Sequence, residues 1–316
     1  MAAKYHDPLY IFMIIFVLFM FLFTLFINGL AGAGEVEAIP WFTGTTGGTS
    51  DNYDTNITPA GFTFIIWGVI YVWQLVWIVY AHVIIFVKSD HGAPIYADPP
   101  IISPVLLSVY SLNLCVNITW LFLFDREELV WALVVISSIA ITLFICIGHL
   151  CWMTSLYRYQ LTGPRGRKYL FFTRLFLLNG LGVYATWTTV ATMINLSIVL
   201  VYFQGQDQDT SCTISLCILA AIAIGYFLLE VTSLEKHLRW FFAPWPVLIW
   251  ALCGVIVNNW DKEDRNSIIS VCLVCLAAVF LVIKVVVTTV RARQRERDEY
   301  DTKEGIDNMA MTQPKA

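Results

Sequence analysis

The sequence predicts an all-α protein, a polytopic membrane helix bundle of about eight transmembrane helices. Three observations lead there. Of 316 residues, 58% are hydrophobic and 13% are charged, whereas a soluble domain carries roughly a quarter charged residues. Apolar runs of the ~20 residues needed to cross hydrocarbon recur along the chain. Between those runs Lys and Arg gather in every second connection, as the positive-inside rule requires.

The first run, residues 9–30, is followed by a small-residue stretch that could imitate a signal-peptide cleavage site. Its length exceeds the roughly 7–15 residues of a signal core, and Asp7 stands where positive charge belongs, so the helix is expected to be retained. Residues 31–58 form a connection rich in Gly, Thr and acidic residues, too long for a turn; it reads as a mobile surface loop or a lid. Asn56-Ile57-Thr58 matches a glycosylation acceptor, with Pro59 counting against it. The second run, 62–87, follows Pro59. At 3.6 residues per turn its Phe62, Phe64, Trp67, Tyr71 and Trp73 point several ways, so most should touch other helices. The third run, 104–124, carries Asn113, Asn117 and Trp120, and the fourth spans 129–153. The fifth, 170–203, is long enough to require tilt and carries Asn179, Tyr184, Trp187 and Asn195. Runs at 212–231, 244–257 and 267–290 complete the set, the seventh being short.

Lys88, the group from Arg158 to Lys168, Lys236 with Arg239, and the group from Arg291 to Arg297 follow the second, fourth, sixth and eighth runs. The other connections are acidic or neutral, so both termini are expected in the cytoplasm; nothing indicates which membrane. Arg174, Glu230 and Lys284 lie within runs toward the same side and read as snorkelling charges. Cys272 and Cys275 form a C-x-x-C in an apolar helix without a nearby His, so metal binding is not expected. Residues 291–316 turn from basic to acidic. The basic part suits lipid headgroups, and residues 298–316 are expected to be without regular structure.

Asn117 and Trp120 are three residues apart, while Trp187, Ala191 and Asn195 are four apart, so each set lines one helix face. A rise of 1.5 Å per residue puts Trp67, Trp120 and Asn195 within roughly 6–8 Å of the outer boundary and Trp187 near the midplane. These placements imply one cavity opening outward beneath the 31–58 loop. A nucleophile–base pair, a metal cluster and a phosphate loop are all missing from the sequence, so an enzyme is not expected.

Three segments carry a family resemblance. PAGFTFIIWGVIY (59–71), NITWLFLF (117–124) and YATWTTVATMIN (184–195) together resemble, in order, the second, third and fifth helices of the TspO/MBR family, the tryptophan-rich sensory and translocator (peripheral benzodiazepine receptor) proteins. The resemblance covers about the first 200 residues. It implies a TspO-like five-helix core at 1–207, with 208–290 as three additional helices and 291–316 as a charged tail. The spacing from Phe62 to Trp67 is one residue shorter than in the short translocator proteins. By resemblance Trp120, Trp187, Ala191 and Asn195 line the cavity, with Phe62, Phe64, Trp67 and Tyr71 beside them and Tyr184 within the same motif. The implied function is a receptor or carrier for a flat apolar ligand, porphyrin- or haem-like or sterol-like, stacked on Trp67, Trp120 and Trp187 and oriented by Asn117 and Asn195. No cofactor is required; membrane lipids and the ligand are the expected partners, nucleic acid is not, and a homo-oligomer stays open. The alternative is a secondary transporter or channel for a small polar or ionic solute, hinted at by Gly180, Gly182, Pro244 and Pro246. Replacing Trp250, in the seventh run, is expected to matter little for the ligand.

Overall fold

The computed structural model describes the backbone of residues 6–312 and the side chains of residues 6–294. Its helices are α1 (Pro8–Ala33), α2 (Thr46–Asn52), α3 (Gly61–Phe86), α4 (Pro104–Asp125), α5 (Leu129–Leu156), α6 (Pro164–Phe203), α7 (Gln208–Val231), α8 (Glu235–Leu238), α9 (Pro244–Asn259) and α10 (Arg265–Thr312). Seven of them are long and apolar enough to cross a membrane. The seventh expected run, α9, has 16 residues, about 24 Å of helix against a hydrocarbon core of about 30 Å. Proline opens α1, α4, α6 and α9, where its fixed φ fits and its missing N–H costs nothing. Asp7, Ser103 and Asp207 cap α1, α4 and α7 by accepting backbone N–H groups of the first turn.

Helix α6 is the hub, packing against α3, α5, α7 and α9, while α1 packs on α3 and α4, and α10 on α7 and α9. Small residues let its neighbours approach. A Cβ on Gly182 would lie 2.1 Å from Phe241, and one on Gly180 2.7 Å from Trp73. These glycines do not interrupt the helix. Instead α6 widens into π-turns at Thr173–Leu178 and Val199–Phe203, which release backbone carbonyls. Leu175 O accepts the Trp73 indole N–H at 3.3 Å, and Arg174 O accepts from Asn179 Nδ2 at 2.8 Å.

Amide side chains join the helices. Buried Gln74 donates to Gly180 O (2.9 Å), and its oxygen accepts from Trp77 (2.7 Å) and Tyr110 (3.3 Å), tying α3 to α4 and α6. Asn113 donates to Ile139 O and Thr142 on α5. Asn179 donates to Trp240 O and accepts from the N–H groups of Phe242 and Ala243, fixing the start of α9.

Glu230 and Lys284 do not snorkel. Both are buried, with Nζ to Oε1 at 2.8 Å. Tyr226 and Trp245 donate to the carboxylate at 2.9 Å each, and Lys284 also donates to Leu238 O at 2.7 Å. An isolated charge in the bilayer centre is costly, and here each charge is neutralised by the other between α7 and α10. Helix α9 is also knitted to the start of α3 and the residues just before it. Ala60 N–H donates to Gly254 O, Asn258 and Asn259 both donate to Thr58 O, and a Cβ on Gly254 would lie 2.1 Å from Thr63.

The basic connections meet at one end, where Asp90 accepts from the N–H groups of Arg165 and Gly166. The acidic connections meet at the other, where Asn56 donates to Asp209. The tail expected to lack regular structure continues as α10 backbone to Thr312; its Arg, Gln, Glu, Lys, Met and Ala residues favour helix. Residues 1–5 and 313–316, which include both termini assigned to the cytoplasm, lie outside the described residues.

Candidate functional site

Helices α3, α4 and α6 do bring most of the expected residues together. Trp67 stacks on Tyr71 one turn later (centroids 5.7 Å apart) and meets Tyr184 at 6.0 Å and Trp187 at 6.3 Å, edge to face. Phe64 reaches Trp187 at 6.1 Å, also edge to face. These are favoured aromatic geometries. Phe64, Trp67, Tyr71 and Ala191 are half-buried, whereas Asn117, Trp120, Tyr184, Trp187 and Asn195 are buried.

Phe62 departs from the expectation. It is 51% exposed and meets Trp250 edge to face at 5.6 Å on the bundle's flank, because the 3-10 turn Gly61–Ile65 at the start of α3 turns it away from Trp67. Trp250 is held there by its indole N–H, which donates to Thr63 O at 3.2 Å. Asn195 donates to Ala191 O within its own helix.

Asn28 on α1 is a site residue that spacing arguments missed. It accepts from the Tyr71 hydroxyl at 2.6 Å and donates to Asn117 Oδ1 at 3.0 Å. The available signal was that Asn28 is the one amide in an otherwise apolar helix. The network stops short of completion. Trp120 Nε1 and Trp187 Nε1 are buried and have no hydrogen-bond partner among the described residues, while the Asn117 amide lies against the Tyr71 and Tyr184 hydroxyls without a well-formed bond from its Nδ2. Each such group costs about 1–3 kcal/mol when left unpaired, so the two indole N–H groups, one on α4 and one on α6, call for an explanation.

The outward-opening cavity expected above this cluster is covered at that end. Asp125 accepts from the N–H groups of Thr43 and Gly44, Phe42 stacks on Phe122 at 4.8 Å, and Thr55 bonds Ser197 at 3.2 Å. The 31–58 connection is thus a folded lid, with α2 inside it, rather than an open loop. Sizeable cavities lie elsewhere: one of 790 Å³ at the acidic end beside Asp209 and Asp261, one of 640 Å³ at the basic end, and flank grooves of 560 Å³ beside Trp73 and Leu175 and of 530 Å³ lined by Trp73, Asn179 and Trp250. The glycosylation acceptor is folded in as well. Asn56 donates to Asp209 at 2.7 Å and accepts from Gln208, and buried Thr58 accepts from Thr55 N–H, so a glycan on Asn56 would have to displace these bonds.

A bundle of spanning helices enclosing aromatic rings and amides defines a multi-pass integral membrane protein of the receptor-or-carrier class. Residues 14–286 match the family described as TSPO-like protein, and the chain belongs to that family. The match runs beyond the first 200 residues and includes α7, α9 and most of the membrane-crossing part of α10. No curated protein and no solved structure matches the chain.

Proposed function

We propose that the protein is a membrane receptor or carrier for a flat, largely apolar ligand bearing hydrogen-bond acceptors at its edge, a tetrapyrrole or a sterol-like molecule. What supports this reading is the pair of unpartnered indole N–H groups of Trp120 and Trp187, together with the Asn117 amide and the Tyr184 hydroxyl, around the Trp67 and Tyr71 rings. Three of the four are N–H donors, and the fourth is a hydroxyl that can donate. Apolar walls with a few oriented polar groups suit such a ligand. Entry requires the lid to part from Asp125, which is the function we assign to residues 34–58. The buried charges favour the transporter alternative less, since Glu230 and Lys284 spend their bonds on each other and on nearby groups.

The test is titration of the purified protein with a porphyrin and with a sterol, followed by tryptophan fluorescence. Asn117→Leu keeps the volume and removes the donor, so affinity for the bound ligand is expected to fall roughly tenfold, the value of one lost hydrogen bond. Equal binding by parent and variant would remove Asn117 from the site, and no binding of either ligand by the parent would overturn the reading.

The alternation of charge supports an orientation with both termini in the cytoplasm. A tag at either terminus is then expected to be reachable only from the cytoplasmic side, and one at Gly48 only from the other. A terminal tag labelled from the outside would reverse the assignment.

A further inference from the structure

Asn28 is half-buried on α1, between Tyr71 of α3 and Asn117 of α4. Its hydrogen bonds admit one orientation. The side-chain atom 2.9 Å from Thr24 O has to be Nδ2, because a backbone carbonyl only accepts. The second hydrogen of that nitrogen points to Asn117, 3.0 Å away, so the Asn117 atom facing it has to be Oδ1. The Tyr71 hydroxyl, 2.6 Å from Asn28 Oδ1, is left to donate. A main-chain carbonyl of α1 thus sets the direction of a row of bonds crossing to α3 and α4. In hydrocarbon surroundings water does not stand by as a substitute partner.

The consequence falls on the aromatic cluster. With its Oδ1 held by Asn28, Asn117 turns Nδ2 toward the Tyr71 and Tyr184 hydroxyls, whose rings both meet Trp67. The indole N–H groups of Trp120 and Trp187, without a partner among the described residues, can only donate. Tyr71 already gives its hydrogen to Asn28. Were the Asn117 amide reversed, its carbonyl would stand where its N–H groups now are, and the cluster would offer an amide acceptor beside its donors. Asn28 opposes that reversal, since it would set two amide nitrogens against each other.

We propose, building on the receptor reading above, that Asn28 is the positioning residue that sets the selectivity of this site: by holding the Asn117 amide in one direction it keeps the cluster rich in donors, so a ligand whose buried edge only accepts is preferred over the same skeleton bearing a donor. A hydroxyl or amide N–H placed against the cluster gives up its bond to water and meets N–H groups pointing at it, and a buried donor left unpaired is what such a site rejects. Asn28 acts through Asn117 and does not itself touch the ligand.

The test is a ratio of affinities, read by tryptophan fluorescence on the purified full-length protein. Two pairs of probes are titrated: cholestenone, whose ring ketone only accepts, against cholesterol, and protoporphyrin dimethyl ester against its bis-methylamide, which adds N–H donors. Within the class that binds, the parent is expected to favour the acceptor-only member roughly tenfold. Asn28→Leu keeps the side-chain volume, and Asn28→Ala leaves room for a water that can donate or accept. Either frees the Asn117 amide, so the ratio should fall toward parity in whichever variant inserts and folds. An affinity loss equal for both members, with the ratio kept, would make Asn28 a residue of helix packing and overturn the proposal. A parent that binds both members equally would overturn it as well, while leaving the receptor reading intact. A parent that binds none of the four probes overturns the receptor reading and the role of Asn28 with it.

Discussion

Replacing Lys284 by Ala is expected to destabilise the protein by about 3–5 kcal/mol, the usual cost of stranding one member of a buried ion pair. Glu230 would keep its bonds from Tyr226 and Trp245 but lose the cation 2.8 Å away, at a site with no access to water. Leu238 O would also lose its donor. Replacing both partners, as Glu230→Gln/Lys284→Met, removes the stranded charge and should recover most of the loss, since neutral replacements of buried pairs are often tolerated. The measurement is the unfolding midpoint in detergent for parent, single and double variants. A Lys284→Ala protein within about 1 kcal/mol of the parent would show that water or lipid headgroups reach the carboxylate.

Trp187→Ala is the second large effect expected. The indole is buried against Phe64 and Trp67, and truncating a buried Trp costs about 3–5 kcal/mol through lost contacts and the space left behind. Lower ligand binding by this variant alone would therefore be ambiguous. Trp187→Phe separates the effects, because it keeps most of the ring volume and removes an N–H that has no partner in the protein. Its stability should stay near the parental value while porphyrin or sterol affinity falls several-fold. Ala191→Phe, one turn on, should also weaken the same ligand by filling half-buried space. Trp250, which meets Phe62 on the flank, and exposed Trp131 on α5 serve as controls that should leave binding unchanged. If Trp187→Phe and Ala191→Phe both bind like the parent, the cluster is packing and the ligand lies elsewhere.

The membrane-spanning architecture, the segregation of Lys and Arg to one end, and the grouping of Trp67, Tyr71, Asn117 and Trp187 are legible along the chain. Length, hydropathy and helical spacing are local properties, and hydrocarbon thickness converts them directly into spans and faces. Which face meets which neighbour is settled by packing in the folded bundle. In a bilayer, lipid tails are as apolar as a helix interface, so hydropathy cannot tell Phe62, which looks outward, from Phe64, which packs on Trp187. For the same reason Glu230 and Lys284 looked like charges reaching for water. They are 54 positions apart in sequence, and their pairing depends on how α7 and α10 rotate against each other. The lid's hold on Asp125 and the link from Asn28 to Asn117 likewise join segments about 80–90 residues apart, distances over which periodicity carries no register.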